Sequence, residues 1–191
     1  MRVTHHQFWL LDTGQRPQPS IRVLNGLIGT GSGVAVIYTG IHTGVVALSV
    51  QARDRAPGPD DLTGWDEVVD VSLAAPAGHL RPAALMSQTD PLPDLTAAGP
   101  GDYRVRVHAR GRDRNVDGVD EEPAEEYHIV VWPQAPEPER IHRSGDGYGA
   151  SVRRSVAAAP PVRERPVDPR QAMIDEVLRR AQERHRTGND R

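Results

Sequence analysis

Apolar and polar residues alternate along much of the first two-thirds of the chain. A period of two is the spacing at which a strand sends every second side chain into a core. The clearest case is 101–132, GDYRVRVHARGRDRNVDGVDEEPAEEYHIVVW. Tyr103, Val105, Val107 and Ala109 share one face, with Arg104, Arg106, His108 and Arg110 on the other. In the returning segment Tyr127, Ile129 and Val131 alternate with Glu126, His128, Val130 and Trp132. The pattern predicts a β-hairpin with an exposed loop at 111–125. In that register Arg110 faces Glu126, His108 faces His128, Arg106 faces Val130 and Arg104 faces Trp132.

Shorter alternations predict strands at 4–11, 34–39, 45–52 and 65–73, and an apolar run spans 21–28. Turn residues separate them, in keeping with 18 Gly and 17 Pro. Seven or eight short strands without crossover helices predict an all-β fold, an antiparallel β-sandwich or partly open barrel, over 1–133.

After Trp132 the pattern changes. Residues 134–167 are rich in Pro and Arg and too polar to offset the entropy of ordering, which predicts a largely disordered linker. One helix is predicted at 168–187. Asp168 is its N-cap, Pro169 its first helical residue, and Met173, Ile174, Val177, Leu178 and Ala181 its apolar stripe. Such a helix is marginal alone, so it should dock on the body, on a partner, or on its own copy in a homodimer.

Composition narrows the chemistry. The absence of cysteine excludes disulfides, thiolate metal sites and a thiol nucleophile. No apolar run approaches the roughly 20 residues of a membrane span, and the first residues lack a signal-peptide pattern. A soluble cytoplasmic protein that does not engage a membrane is expected. The net charge is −3, and 113–126 holds seven acids against one Arg. With an acidic body, direct binding to nucleic acid is not expected.

Those seven acids (Asp113, Asp117, Asp120, Glu121, Glu122, Glu125 and Glu126) form one candidate site. Asp113, Asn115 and Asp117 with Gly118 match the start of a calcium loop, but Ala124 stands where a bidentate Glu is needed. That leaves a weak calcium candidate, and no other metal or cofactor is expected. Otherwise the loop reads as a solvated turn or as a partner-binding element that engages a basic cleft. Arg104, Arg106, His108, Arg110 and Trp132 form a second candidate, either an ordinary exposed sheet face or a face for an anionic ligand. His5, His6, His42, His108 and His128 lack metal-ligand spacing, and no catalytic motif is present.

The chain also resembles a known family. His6-Gln7-Phe8, the segment WDEVVDVSL at 65–73, Pro100-Gly101-Asp102-Tyr103-Arg104-Val105 and the closing EYHIVVW at 126–132 are similar to competence protein J, an inhibitor of a DNA-entry nuclease. An uncharacterised actinobacterial branch of that family carries the same pattern. The resemblance spans about 4–133, and the acids of 113–126 and everything beyond 135 depart from it. It implies a β-rich fold and a protein-binding role. The expected function is therefore a non-enzymatic protein-binding module that inhibits a nuclease or a basic toxin, with the acidic loop as recognition element. Two alternatives stay open: a sandwich binding a small ligand or carbohydrate through Trp65 or Trp132, and an enzyme without a recognisable motif.

Overall fold

The structure is a computed structural model that describes residues 1–18, 20–84 and 93–159. Twelve strands and one helix follow in chain order among the described residues: β1 (Arg2–Thr4), β2 (Gln7–Leu11), β3 (Ile28–Gly31), β4 (Val34–Tyr38), β5 (Thr43–Val45), β6 (Ala47–Ala52), β7 (Glu67–Ala75), β8 (Arg81–Ala83), β9 (Gly101–Arg110), β10 (Val119–Asp120), β11 (Glu126–Pro133), β12 (Arg140–Ser144) and α1 (Gly147–Ala158). They form two sheets. The first runs β10-β5-β1-β2-β4-β3, with β8 also paired to β2; the second runs β12-β7-β9-β11-β6.

The predicted antiparallel sandwich is corrected in one respect: both sheets are mixed. β11 pairs in parallel with β6, and β10 in parallel with β5. A parallel neighbour needs a long connection, and here most of the chain between β6 and β11 supplies it. The segment predicted as one strand at 45–52 is two strands. The chain leaves the first sheet after β5, turns at Val46 and enters the second as β6. The segment 4–11 is likewise interrupted, because His5 and His6 both adopt left-handed backbone (φ 56° and 59°) in a two-residue turn joining β1 to β2. That is the geometry a tight hairpin demands, carried here by imidazoles in place of Asn-Gly.

The alternation itself holds. Phe8, Leu10, Ile28 and Ile37 from the first sheet meet Val69, Val71, Leu73, Tyr103, Val105, Val107, Tyr127, Ile129 and Val131 from the second in one buried core. The Phe8 and Tyr127 rings meet edge to face at 5.3 Å. The β9–β11 hairpin keeps the expected register, including Arg110 with Glu126, His108 with His128, Arg106 with Val130 and Arg104 with Trp132. Most of the apolar run at 21–28 is loop; Val23 packs with Trp9, Val34 and Val36 in a smaller cluster.

The linker expected at 134–167 is corrected too. Within it, β12 joins the edge of the second sheet beside β7, and α1 packs on the body. The helix expected at 168–187, and any homodimer through it, lies outside the described residues. Among the described residues no helix is long and apolar enough to cross a membrane.

Candidate functional site

The acidic loop does not hang free; most of its acids serve the body. Glu125 is buried at 1% exposure, where its carboxylate accepts Gly40 N–H (3.1 Å), Ile41 N–H (2.6 Å) and the Tyr127 hydroxyl (2.5 Å). Burial pushes its pKa above the ordinary glutamate value, and burial likewise drives Tyr127 far upward. Gly40 has no alternative residue here, since a Cβ would collide with the Arg112 carbonyl. Glu126 pairs with Arg110 across the hairpin, with Nε 3.0 Å from Oε2. Asp113 accepts the first two N–H groups of α1, Gly147 at 2.8 Å and Tyr148 at 2.7 Å. Asp120 accepts from Asn115 (3.0 Å), Glu121 pairs with Arg2 (3.0 Å), and Asp117 lies 2.9 Å from His6 Nε2.

These contacts correct two expectations. The loop is not simply a solvated turn, and Asp113, Asn115 and Asp117 bond different groups, the α1 backbone, Asp120 and His6. Each is committed to a different neighbour. Among the described residues no group of three His, Asp or Glu is placed to hold a metal. Backbone bonds pin the loop further, His42 N–H to Gly118 O at 2.9 Å and Asp117 N–H to Gly40 O at 3.0 Å. Asp117 itself is left-handed (φ 61°), a conformation Asp tolerates better than most residues.

What the loop still offers is its tip. Asp117, Glu121 and Glu122 remain exposed, and so do two apolar side chains, Val116 at 45% and Val119 at 65%. Beside the tip runs a groove of about 520 Å³ between the loop and α1. Val116 and Asp117 form one wall; Tyr148, Val152 and Val156 on α1 form the other, and Tyr38 is also part of the lining.

Beneath Tyr148 lies the reason α1 sits where it does. Arg112 is fully buried, with Nε and Nη2 on the Asp146 carboxylate (2.6 and 2.9 Å) and Nη1 on Gly26 O (2.9 Å). The Tyr148 ring covers its guanidinium at 5.3 Å. Asp146 caps α1 by accepting Gly149 N–H at 2.7 Å, and Arg153 from the second turn reaches buried Glu67 at 3.0 Å. Tyr148, largely buried, has its pKa raised to about 12 and is a neutral phenol. His6 stacks on that ring at 6.0 Å.

The second candidate site is not an exposed face. Arg104, Arg106 and His108 are buried. Glu137, Pro138, His142 and Asp61 lie against them. Arg106 clasps Asp70 with Nε 2.6 Å from Oδ1 and Nη2 2.9 Å from Oδ2, while His142 Nε2 lies 2.9 Å from Oδ2. Burial alone would raise Asp70, but the hydrogen bonds from Arg106 and His142 outweigh it and hold the carboxyl below its ordinary value. Arg104 donates to Ser72 Oγ and to the Glu137 and Pro138 carbonyls. His108 Nε2 stands 2.8 Å from Asp61, and Nδ1 lies 2.9 Å from His128 O. Arg110 is the member left outside, folded over Trp65 at 5.1 Å. Arg104, Arg106 and Trp132 do line a polar cleft of about 460 Å³ with Arg140, Asp70 and Glu137, so cations and anions share its walls.

Sequence reasoning missed Val116, Val119 and the α1 wall. Tyr148, Val152 and Val156 recur every four residues, which is helical spacing. Gly145, Gly147, Gly149 and the prolines around the segment masked it.

The fold and site together define a two-sheet β protein with an acidic, internally braced loop. No protein-family model matches the chain. No curated protein matches it. Among solved structures it is similar to one described as crocagin biosynthetic gene J, at 18% identity, with 71% of this chain and 94% of that chain covered and a TM-score of 0.46.

Proposed function

We propose that the protein is a non-catalytic binding module that docks a basic partner protein on the tip of the 111–125 loop and the adjoining groove along α1. The observation that carries this reading is the pair of exposed valines, Val116 and Val119, set among Asp117, Glu121 and Glu122 on a loop braced by the body. Apolar side chains set among acids suit a protein interface: the valines supply desolvation, and the acids, Glu121 beside Arg2 among them, supply orientation and rate of encounter. Bracing lowers the ordering cost of association. A basic side chain entering the groove would lie along Tyr148 and reach Asp117. The resemblance to competence protein J favours a nuclease as the partner, and a basic toxin fits the same chemistry.

Affinity capture from source cells tests this. The wild-type chain should retain a basic protein at low salt and release it as salt rises, because exposed charges separated by about 10 Å are screened near 0.1 M. Asp117→Asn with Glu121→Gln and Glu122→Gln should abolish that salt-sensitive capture, and Val116→Ser with Val119→Ser should weaken it. Equal capture by all three proteins contradicts the proposal.

The polar cleft supports a second reading, a small anionic ligand held by Arg140, an exposed cation of its lining. A thermal shift with inorganic phosphate or a nucleoside monophosphate, lost in Arg140→Ala, would favour it.

A further inference from the structure

The second sheet has two edges, and they are built differently. The β12 edge carries Arg140 and Arg143 and a register shift between Ile141 and Arg143. Charges and bulges of this kind keep an edge from pairing with another chain. The β6 edge, Ala-Leu-Ser-Val-Gln-Ala over 47–52, has no charge and no proline, and its paired positions run without a register shift.

The orientation of its backbone follows from two hydrogen bonds. Ala47 N–H donates to Glu125 O and Arg53 N–H to Val131 O, so the odd-numbered residues of β6 face β11. The even-numbered ones face away. At Val46 that outward side is taken by Met1, whose amino group donates to Val46 O while Val46 N–H donates to Met1 O. At Leu48, Val50 and Ala52 no strand among the described residues pairs with it.

We infer that β6 is a self-association edge, pairing antiparallel with β6 of a second copy about a two-fold axis at Val50. In that register Val50 meets Val50 of the partner, and Leu48 meets Ala52 of the partner on each side. The central pair exchanges two hydrogen bonds, and each flanking pair two more. Leu48 and Val50, which pack partly buried on the core, lose their remaining exposure. On the outer face Ser49 lies opposite Gln51 of the partner, so no like charges oppose.

Charge complementarity then favours a second copy over an unrelated peptide. Arg53 extends the β6 outer face, with Nε 3.0 Å from Gln51 Oε1, and in this register it stands opposite Ala47 of the partner. Ala47 is paired with Glu126 on its other side. Arg110 occupies Glu126 Oε2, leaving Oε1 for a guanidinium reaching across the small alanine. The two-fold axis repeats that ion pair. Because the interface is isologous and the β12 edge is guarded, assembly closes at the dimer.

Sedimentation velocity on the full chain from micromolar to near-millimolar concentration tests this, together with amide hydrogen exchange. Expected is a monomer–dimer equilibrium with concentration-dependent protection at Leu48, Val50 and Ala52. Ser49 and Gln51, already bonded to β11, should be protected at every concentration. Val50→Pro removes only an outward N–H, as an edge position tolerates. Arg53→Glu sets a carboxylate against Glu126 of the partner. Each should weaken association by about tenfold or more. Should Val50→Pro fail to fold, Arg53→Glu and the exchange pattern decide. A monomer across the whole range, or a dimer as tight in Arg53→Glu as in wild type, overturns the inference.

Discussion

Arg112 shows how much of this molecule depends on single buried charges. Its guanidinium has no exposed surface and is held by Asp146, which is itself 4% exposed and caps α1. Replacing Arg112 by Met leaves Asp146 as a buried carboxylate without its counter-ion, a change expected to cost about 3–5 kcal/mol. Urea denaturation would read that loss; an unchanged midpoint would contradict it. Asp70 gives a pH signature. Its folded pKa lies below the ordinary 3.8 because the Arg106 and His142 hydrogen bonds outweigh burial. The stabilisation it provides is therefore complete above that ordinary value and lost as pH falls through the folded one. Asp70→Asn should be less stable near pH 7 yet lose less further stability on acidification below about pH 4. Glu125 runs the other way. Burial raises it above 4.5, so the advantage of its protonated form is present below that value and erodes as pH rises through the folded pKa.

At the scale of elements, the hairpin was readable and its surroundings were not. Strict alternation across 103–109 and 127–131 placed Tyr103 and Tyr127 inside, and both are buried. The same alternation implied an exposed face for Arg104, Arg106 and His108. Period two separates the faces of a strand but does not say whether a second layer covers the polar one. Here Glu137, Pro138, His142 and Asp61 lie against it, and Arg104 and Arg106 each find acceptors. The acidic loop failed to read correctly for a related reason. Seven acids within 113–126 look alike in sequence, yet Glu125 serves two backbone N–H groups and a phenol, Asp113 caps a helix, and Asp117, Glu121 and Glu122 stay exposed. Long-range partners assign these roles. The α1 segment makes the strongest prediction of this kind. Ending the chain after Ser144 removes Asp146 from Arg112 and Arg153 from Glu67, and should lower stability by about 3 kcal/mol or more. A linker would be lost without effect, so an unaltered denaturation curve would sink this assignment.

Across the whole molecule the two mixed sheets act as a frame that holds one loop in one shape. Strand β10 within the loop pairs with β5, Arg2 and His6 reach it from the first sheet, and α1 braces its other side through Asp113. The parallel pairings were hidden from sequence because they join strands far apart in the chain, where alternation carries no direction. Backbone 15N relaxation of the full chain tests the claim that the loop is a fixed platform. Amides of 112–122, and Val116 to Glu122 in particular, should show order parameters of about 0.85, like the β9 and β11 strands. Values below about 0.6 through that stretch would mean a mobile acidic loop, and the braced surface proposed for partner binding would not exist.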